Sequence, residues 1–318
     1  CVCGTGPAGI TVARELASSG LRVVLLEAGG FDFTERSQDA YAGTESGINT
    51  YNLALKIGRL RYFGGTSNHW SGMCGTFEES DFWPQRYHNL SGWPIKRAEV
   101  NEHLREASQI LDLKTNDFAS RPFGTPTWST FERKITSRSP PTRFGTKYRE
   151  EVIRSKYIDL YINANVVDIH LQEKNHSLPS IDHVVVSNYN KVRHLVIARR
   201  YVLALGTIEN ARILLNSKSQ LPRGIGNHSG FVGQCYMEHL NVLFGRYVAN
   251  SNAELSVDGT DIGPTNEILR KHNIGNGILN LSTSKAPVES GRLASVRKII
   301  RSASCENETV REFARKFK

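Results

Sequence analysis

The chain has 318 residues, 39% of them hydrophobic and 9% aromatic, which is enough to bury a sizeable core and to build two domains. No run of about 18 apolar residues occurs, so no membrane span is expected, and the five cysteines show neither zinc-ligand spacing nor a disulfide framework, so no metal is expected. The formal charge of +9 comes from basic residues spread along the chain without a nucleic-acid-binding motif, so no nucleic-acid partner is expected.

The chain opens "CVCGTGPAGITVARELASSGLRVVLLEAGG". Gly4, Gly6 and Gly9 form G-x-G-x-x-G, and Ile10, Ala13, Leu16 and Ala17 then recur at helical spacing. The apolar run "LRVVLLE" follows and ends in Glu27, so the order is strand, turn, helix, strand, acid. Gly4 allows the tight turn, Gly6 lets a pyrophosphate approach the backbone, and Gly9 lets helix and strand pack closely. The helix N-terminus adds free N–H donors and a positive dipole end. Glu27 is placed to accept hydrogen bonds from a ribose diol, so a dinucleotide site is expected, its kind left open by these residues. A buried parallel strand usually has about five or six residues, yet only Cys1 to Cys3 precede the turn. The chain is therefore expected to begin inside its first strand, as a fragment.

Residues 31–62 are polar and read as an excursion. "FGGTSNHWSG" (63–72) packs paired glycines, hydroxyls, an amide, an imidazole and an indole into ten positions without a strand or helix period, as a ligand-contacting turn would. Pro94 begins a helix whose Val100, Leu104, Ala107 and Leu111 share a core-facing stripe. Residues 115–145 read as extended loop, "TKYREEVIRS" as helix and "IDLYINANVVDIHL" as strands. The hairpin-like "HVVVSNYNKVRHLVIARRYVLAL" runs to Gly206, where "TIENARILLNS" starts a helix, a second strand–glycine–helix corner. Residues 241–256 and 265–283 alternate loosely, as antiparallel strands of a second domain would, and the end reads as helix. N-x-S/T sequons stand at Asn89, Asn175, Asn227, Asn280 and Asn307; against the scattered cysteines they leave localisation open.

Together "GTGPAGI" with "LLEAGG", "GGTSNHWSG", "SGWPIKRAEV", "SPPTRFGTKYREEV", "NANVVDI", "ALGTIENARILL" and "GNHSGFVGQCYMEHLN" resemble, in order and over residues 1 to about 245, the glucose-methanol-choline (GMC) family of FAD-dependent oxidoreductases. The nearest likeness is to its sugar and polyol dehydrogenase and pyranose oxidase branch. The resemblance implies FAD as cofactor and oxidation of a CH–OH donor, a sugar, polyol or other alcohol, with hydride passing to flavin N5 and O2 or another acceptor reoxidising the flavin. It implies that Gly64, Gly65, Thr66, Ser67 and Asn68 line the FAD. His69 stands where pyranose oxidase and choline oxidase attach FAD covalently, so it either bonds to the flavin or lies against it; Trp70 packs. Val166 matches a backbone contact to adenine, and Gly206 with Thr207 the corner near the phosphates. Arg59 and Arg61 could reach the pyrophosphate or be solvated or structural. Leu240 stands where the family usually has proline, so Glu238 and His239 are left out of the site. The family's catalytic histidine lies in a C-terminal segment with no match before Lys318, and His272 lacks its context. No catalytic residue is therefore assigned, and the fragment alone is expected to be inactive.

The fold expected is α/β: a Rossmann-like three-layer FAD-binding domain from residues 1–75 and 146–240, with a substrate or cap domain from 76–145 and 241–318 containing an antiparallel sheet. Two other readings remain at this point. One is a non-catalytic flavin-holding or polyanion-binding protein. The other is an NAD-dependent dehydrogenase, which would explain the glycine motif but not "GGTSNHW".

Overall fold

The structure, a computed structural model, describes residues 1–46, 55–84, 92–123, 129–172, 180–237 and 260–281. The chain divides into two compact units, Cys1–Thr76 with Val100–Asn116 and Ser137–Arg246, and Phe77–Glu99 with Asp117–Thr136 and Tyr247–Lys318.

The first unit is built on a parallel sheet. Its strands are β1 (Val2–Cys3) and β2 (Val23–Leu26), with helix α1 (Pro7–Ser18) between them, then β3 (Ile158–Tyr161) and β7 (Val202–Leu203), in the order β7-β1-β2-β3. A second sheet is antiparallel, β6-β5-β4, from β4 (Asn165–Leu171), β5 (Ile181–Ser187) and β6 (Arg193–Ile197). Successive side chains of a strand point to opposite faces, and here both faces are covered. Val2, Val23 and Leu25 pack with Ile10 and Ala13 of α1 and with Phe144, Tyr148 and Val152 from the short helices α2 (Phe144–Lys147) and α3 (Arg149–Arg154). Cys3 and Leu26 face the other way, against Ile169, Val184 and Val186 of the antiparallel sheet and Ile213 of α4 (Thr207–Asn216). That two-sided burial is why these strands read as continuous apolar runs. Each fully buried Leu or Val contributes about 1.5–3 kcal/mol relative to exposure. The protein is thus mixed α/β, with a Rossmann-like parallel sheet and separate antiparallel sheets.

In the second unit Leu279–Leu281, Thr260–Pro264, Phe131–Arg133 and Arg121–Pro122 form, in that order, an antiparallel sheet. Just after Arg133 the buried Lys134 ammonium is held by Glu78 at 2.5 Å and Glu132 at 2.8 Å.

Three expectations are corrected. Residues 76–145 do not all belong to the second unit. Thr142 Oγ1 donates to the Leu111 carbonyl at 3.1 Å, Tyr148 Oη to the Ile110 carbonyl at 2.8 Å, and Lys147 Nζ to Asp112 at 2.7 Å, which ties 100–116 and 137–145 into the first. The helix predicted from Pro94 is two helices, Arg97–Asn101 and Leu104–Ile110. The break shifts the phase of the stripe, so Ser108 is buried and Ala107 exposed. Residues 266–272 are helical rather than extended. Glu267 in the first turn and Arg270, Lys271 and His272 in the last complement the helix dipole there, and Asn273 ends the helix in a left-handed conformation. The strands expected over 241–256, the C-terminal helix, Glu238, His239, Leu240 and the sequons at Asn89, Asn175 and Asn307 lie outside the described residues.

Candidate functional site

Three glycines of the first motif have three different jobs. Gly4 leaves β1 with φ +104°, and a Cβ there would lie 2.4 Å from the Ala204 carbonyl oxygen. At Gly9 a Cβ would lie 1.8 Å from the Gly4 carbonyl oxygen, so α1 sits directly on the turn. Gly6 is the N-cap of α1, with Pro7 at the first helical position, and a Cβ on it would meet nothing within 4 Å. Its missing side chain leaves room beside the helix N-terminus, where unpaired N–H groups and the positive dipole end favour an anion.

A second corner stands beside the first, because β7 pairs in parallel with β1. Its Gly206 has φ +88° and caps α4. Asn210 fixes the corner, accepting from Leu205 N at 3.0 Å and donating to the Leu203 carbonyl at 3.2 Å. The two helix N-termini open on one cleft of about 580 Å³.

Of the residues singled out from the sequence, Gly4, Gly6, Glu27, Gly65, Thr66, Val166, Gly206 and Thr207 line this cleft. Gly9, Gly64, Ser67, Asn68 and His69 are not on its wall. The segment after Phe63 folds into a 3-10 turn, Gly65–Asn68, and its side chains satisfy the turn itself. Ser67 Oγ donates to the Gly64 carbonyl at 2.7 Å and accepts from Phe144 N at 3.2 Å. Asn68 Nδ2 donates to the Phe63 carbonyl at 2.8 Å. Gly64, at φ +95°, lies back to back with Gly145, whose nitrogen is 2.3 Å from where a Cβ would stand. His69 ends the turn and is exposed, while the Trp70 indole donates to the Thr142 carbonyl at 2.9 Å.

Glu27 is buried at the end of β2. One carboxylate oxygen accepts from Thr5 N at 3.2 Å and from the Thr5 hydroxyl, the other from Gly29 N at 2.8 Å. The acid therefore pins the glycine turn as well as facing the cleft. Glu27→Ala would strand these donors and remove a charged acceptor from the cleft, and is expected to cost about 1.5–3 kcal/mol both in stability and in dinucleotide binding. A denaturation midpoint and a dinucleotide titration check the two effects, and unchanged affinity would count against the ribose role.

Other cleft residues carried little local signal. Thr5 is the variable position of the glycine motif. Val166 is followed by a bulge between Val166 and Asp168. The extra residue breaks the two-residue alternation, so Val166 and Val167 both line the cleft. Tyr41, Arg61, Glu209 and Arg212 also line it. Glu209, on α4, is 7% exposed and accepts from Arg59 Nη1 at 2.9 Å and Arg212 Nε at 2.9 Å, with Arg61 Nη1 at 3.6 Å. The guanidiniums of Arg59 and Arg61 lie 4.0 and 5.1 Å from the Tyr41 ring centroid, within cation–π range. Burial pushes the Tyr41 phenol's pKa up, with the Arg61 charge opposing.

No family model and no curated protein matches the chain. Among solved structures it is similar to THI4 of Thermovibrio ammonificans, at 11% identity over 70% of this chain and 61% of that one, with a TM-score of 0.35. It is also similar to a formate oxidase, at 15% identity over 67% of this chain and 46% of that one, with a TM-score of 0.38. The chain thus spans less than two thirds of either.

Proposed function

We propose that the protein is a flavin-dependent oxidoreductase that binds FAD in this cleft and acts on CH–OH donors, a sugar, polyol or other alcohol. The observation that carries the reading is the meeting of two strand–glycine–helix corners and the Gly65–Thr66 turn at one cleft, with the space over Gly6 open to a ligand. Backbone N–H groups at Ala8 and Gly9 and at the start of α4 suit a diphosphate, the Glu27 carboxylate suits a ribose diol, and the apolar pair Val166 and Val167 suits an adenine face. Bound flavin would supply two-electron chemistry, taking hydride at N5 and passing electrons to O2 or another acceptor. The chain's own contribution is binding and orientation: Thr5 and Gly29 hold the Glu27 carboxylate in place, and Ser67 and Asn68 keep the turn that ends in His69 in one shape. The motif order, which resembles that of the GMC family, supports the CH–OH donor class, and His69, exposed at the end of the turn but not on the cleft wall, would touch or bond to flavin where the cofactor extends past Gly65 and Thr66.

The test is a visible spectrum of the purified chain, reconstituted with FAD, followed by acid precipitation. Flavin bands are expected, and colour kept in the washed pellet of the wild type but lost in His69→Ala would establish a covalent link at that histidine. A colourless protein that binds NAD but not FAD would overturn the flavin reading. His69→Ala with unaltered flavin content and redox potential would remove His69 from the site.

A further inference from the structure

We propose that Arg59, Arg61 and Arg212, gathered around Glu209, form an anion subsite that takes a phosphate group on the cleft wall, which Arg61 and Arg212 line. Three guanidiniums share one buried carboxylate, which leaves positive charge in excess beside the cleft, with Arg61 nearly buried and Arg212 about half exposed. Glu209 accepts from Arg59 Nη1 and from Arg212 Nε and Nη2, and Arg61 holds it only at 3.6 Å. Arg61 Nη2 donates to Asn165 Oδ1 at 2.9 Å. Its Nε–H has no partner, although the side chain is nine-tenths buried and lines the cleft. A buried charged donor without an acceptor is uncommon and costly, and because this nitrogen is shielded from the cleft itself, an oxyanion on the cleft wall would offset its charge through the field rather than by direct contact.

The arrangement is built to stay charged and aimed. The Tyr41 ring packs against the guanidiniums of Arg59 and Arg61. The raised pKa of its phenol keeps that neighbour neutral. The start of α4 at Thr207, on the same wall, adds the positive end of a helix dipole. Glu27 is the other carboxylate lining the cleft, and it is already engaged by Thr5 and Gly29. A planar guanidinium offers a phosphate paired donors that lysine cannot reproduce. The phosphate could be part of a bound dinucleotide or be free. As the dinucleotide's own phosphate the assignment rests on the flavin reading above; as an anion site it stands on these side chains.

The experiment uses the full chain as wild type, Arg61→Lys and Arg61→Gln, with far-ultraviolet circular dichroism as the check on folding. FAD, riboflavin and inorganic pyrophosphate are titrated separately, and pyrophosphate is also titrated against bound FAD. The expected result is that FAD and pyrophosphate bind and compete, that riboflavin binds far more weakly than FAD, and that both variants lose about tenfold to a hundredfold in affinity for FAD and pyrophosphate. Retention of wild-type affinity to within about twofold by a folded Arg61→Lys would overturn the subsite. If neither variant folds, failure of pyrophosphate to displace FAD or to raise the wild-type melting temperature would overturn it too. Arg61-dependent pyrophosphate binding without FAD binding would keep the subsite, assign it to free phosphate and remove the flavin reading. Binding of neither would overturn both.

Discussion

Gly9→Ala is expected to destabilise the first unit by about 3 kcal/mol or more, at the upper end of what adding one methyl group to a packed interior does. The new Cβ would lie 1.8 Å from the Gly4 carbonyl oxygen, and neither partner has a side chain that could rotate away. Gly4 cannot retreat, since its N–H donates to the Leu26 carbonyl at 2.8 Å and the Ala204 backbone leaves no room beside it even for a Cβ. α1 cannot retreat without withdrawing Ile10 and Ala13, both fully buried, from the parallel sheet. Gly6→Ala is the control. A Cβ there meets nothing within 4 Å, so its stability should fall only by about 1 kcal/mol, the usual cost of alanine at an N-cap, while dinucleotide affinity falls, because the methyl group would occupy the space over the helix N-terminus. Urea denaturation of both variants tests the contrast, and equal midpoints would mean that α1 does not seat on the turn as described.

Glu209→Ala is expected to cost about 3–5 kcal/mol, the range for removing one partner from a buried ion pair. The remaining guanidiniums would repel one another, most strongly Arg59 and Arg61, which have little water to screen them, and the contact from α4 to the segment around residue 59 would be lost. Glu209→Gln keeps the shape while removing the charge. It should lower the melting temperature in dilute buffer and recover much of the loss on addition of pyrophosphate, which would supply the missing negative charge. A melting temperature equal to wild type in both variants would show that the carboxylate does not balance these cations.

The parts of the fold that could be read in advance rest on local rules. The glycine spacing, the apolar positions Ile10, Ala13 and Ala17, and the two-sided run ending in Glu27 each follow from the conformation of a short stretch, and they became β1, α1 and β2. The corner at Gly206 was legible for the same reason. What escaped depends on partners distant in the chain. Arg59 and Glu209 are 150 residues apart, and nothing near either shows that they meet. Ser67 and Asn68 have side chains suited to a cofactor, yet the 3-10 turn leaves the carbonyls of Phe63 and Gly64 needing donors, and these two residues supply them. The bulge after Val166 moves Val167 onto the cleft, a change of face that alternation in sequence does not foretell. Around Leu269 a loose apolar alternation suggested a strand, whereas the segment is a helix whose terminal charges suit its dipole.

The pairing of β1 with both β2 and β7 also sets an order of assembly. Val2 lies beside Leu25, which is close in sequence, and beside Val202, which is about 200 residues away. Contacts of such long separation close large loops and form slowly. The glycine turn and α1 can therefore take shape early, while the wall supplied by Ala204 and Gly206 has to wait for β7 to dock. Until then the Cys3 edge of β1 is open to any strand that arrives first, and a nascent chain emerging at about 5–20 residues per second would leave it open for on the order of ten seconds or longer. Yield of folded protein should accordingly respond to chaperones and to synthesis temperature more than its finished stability would suggest.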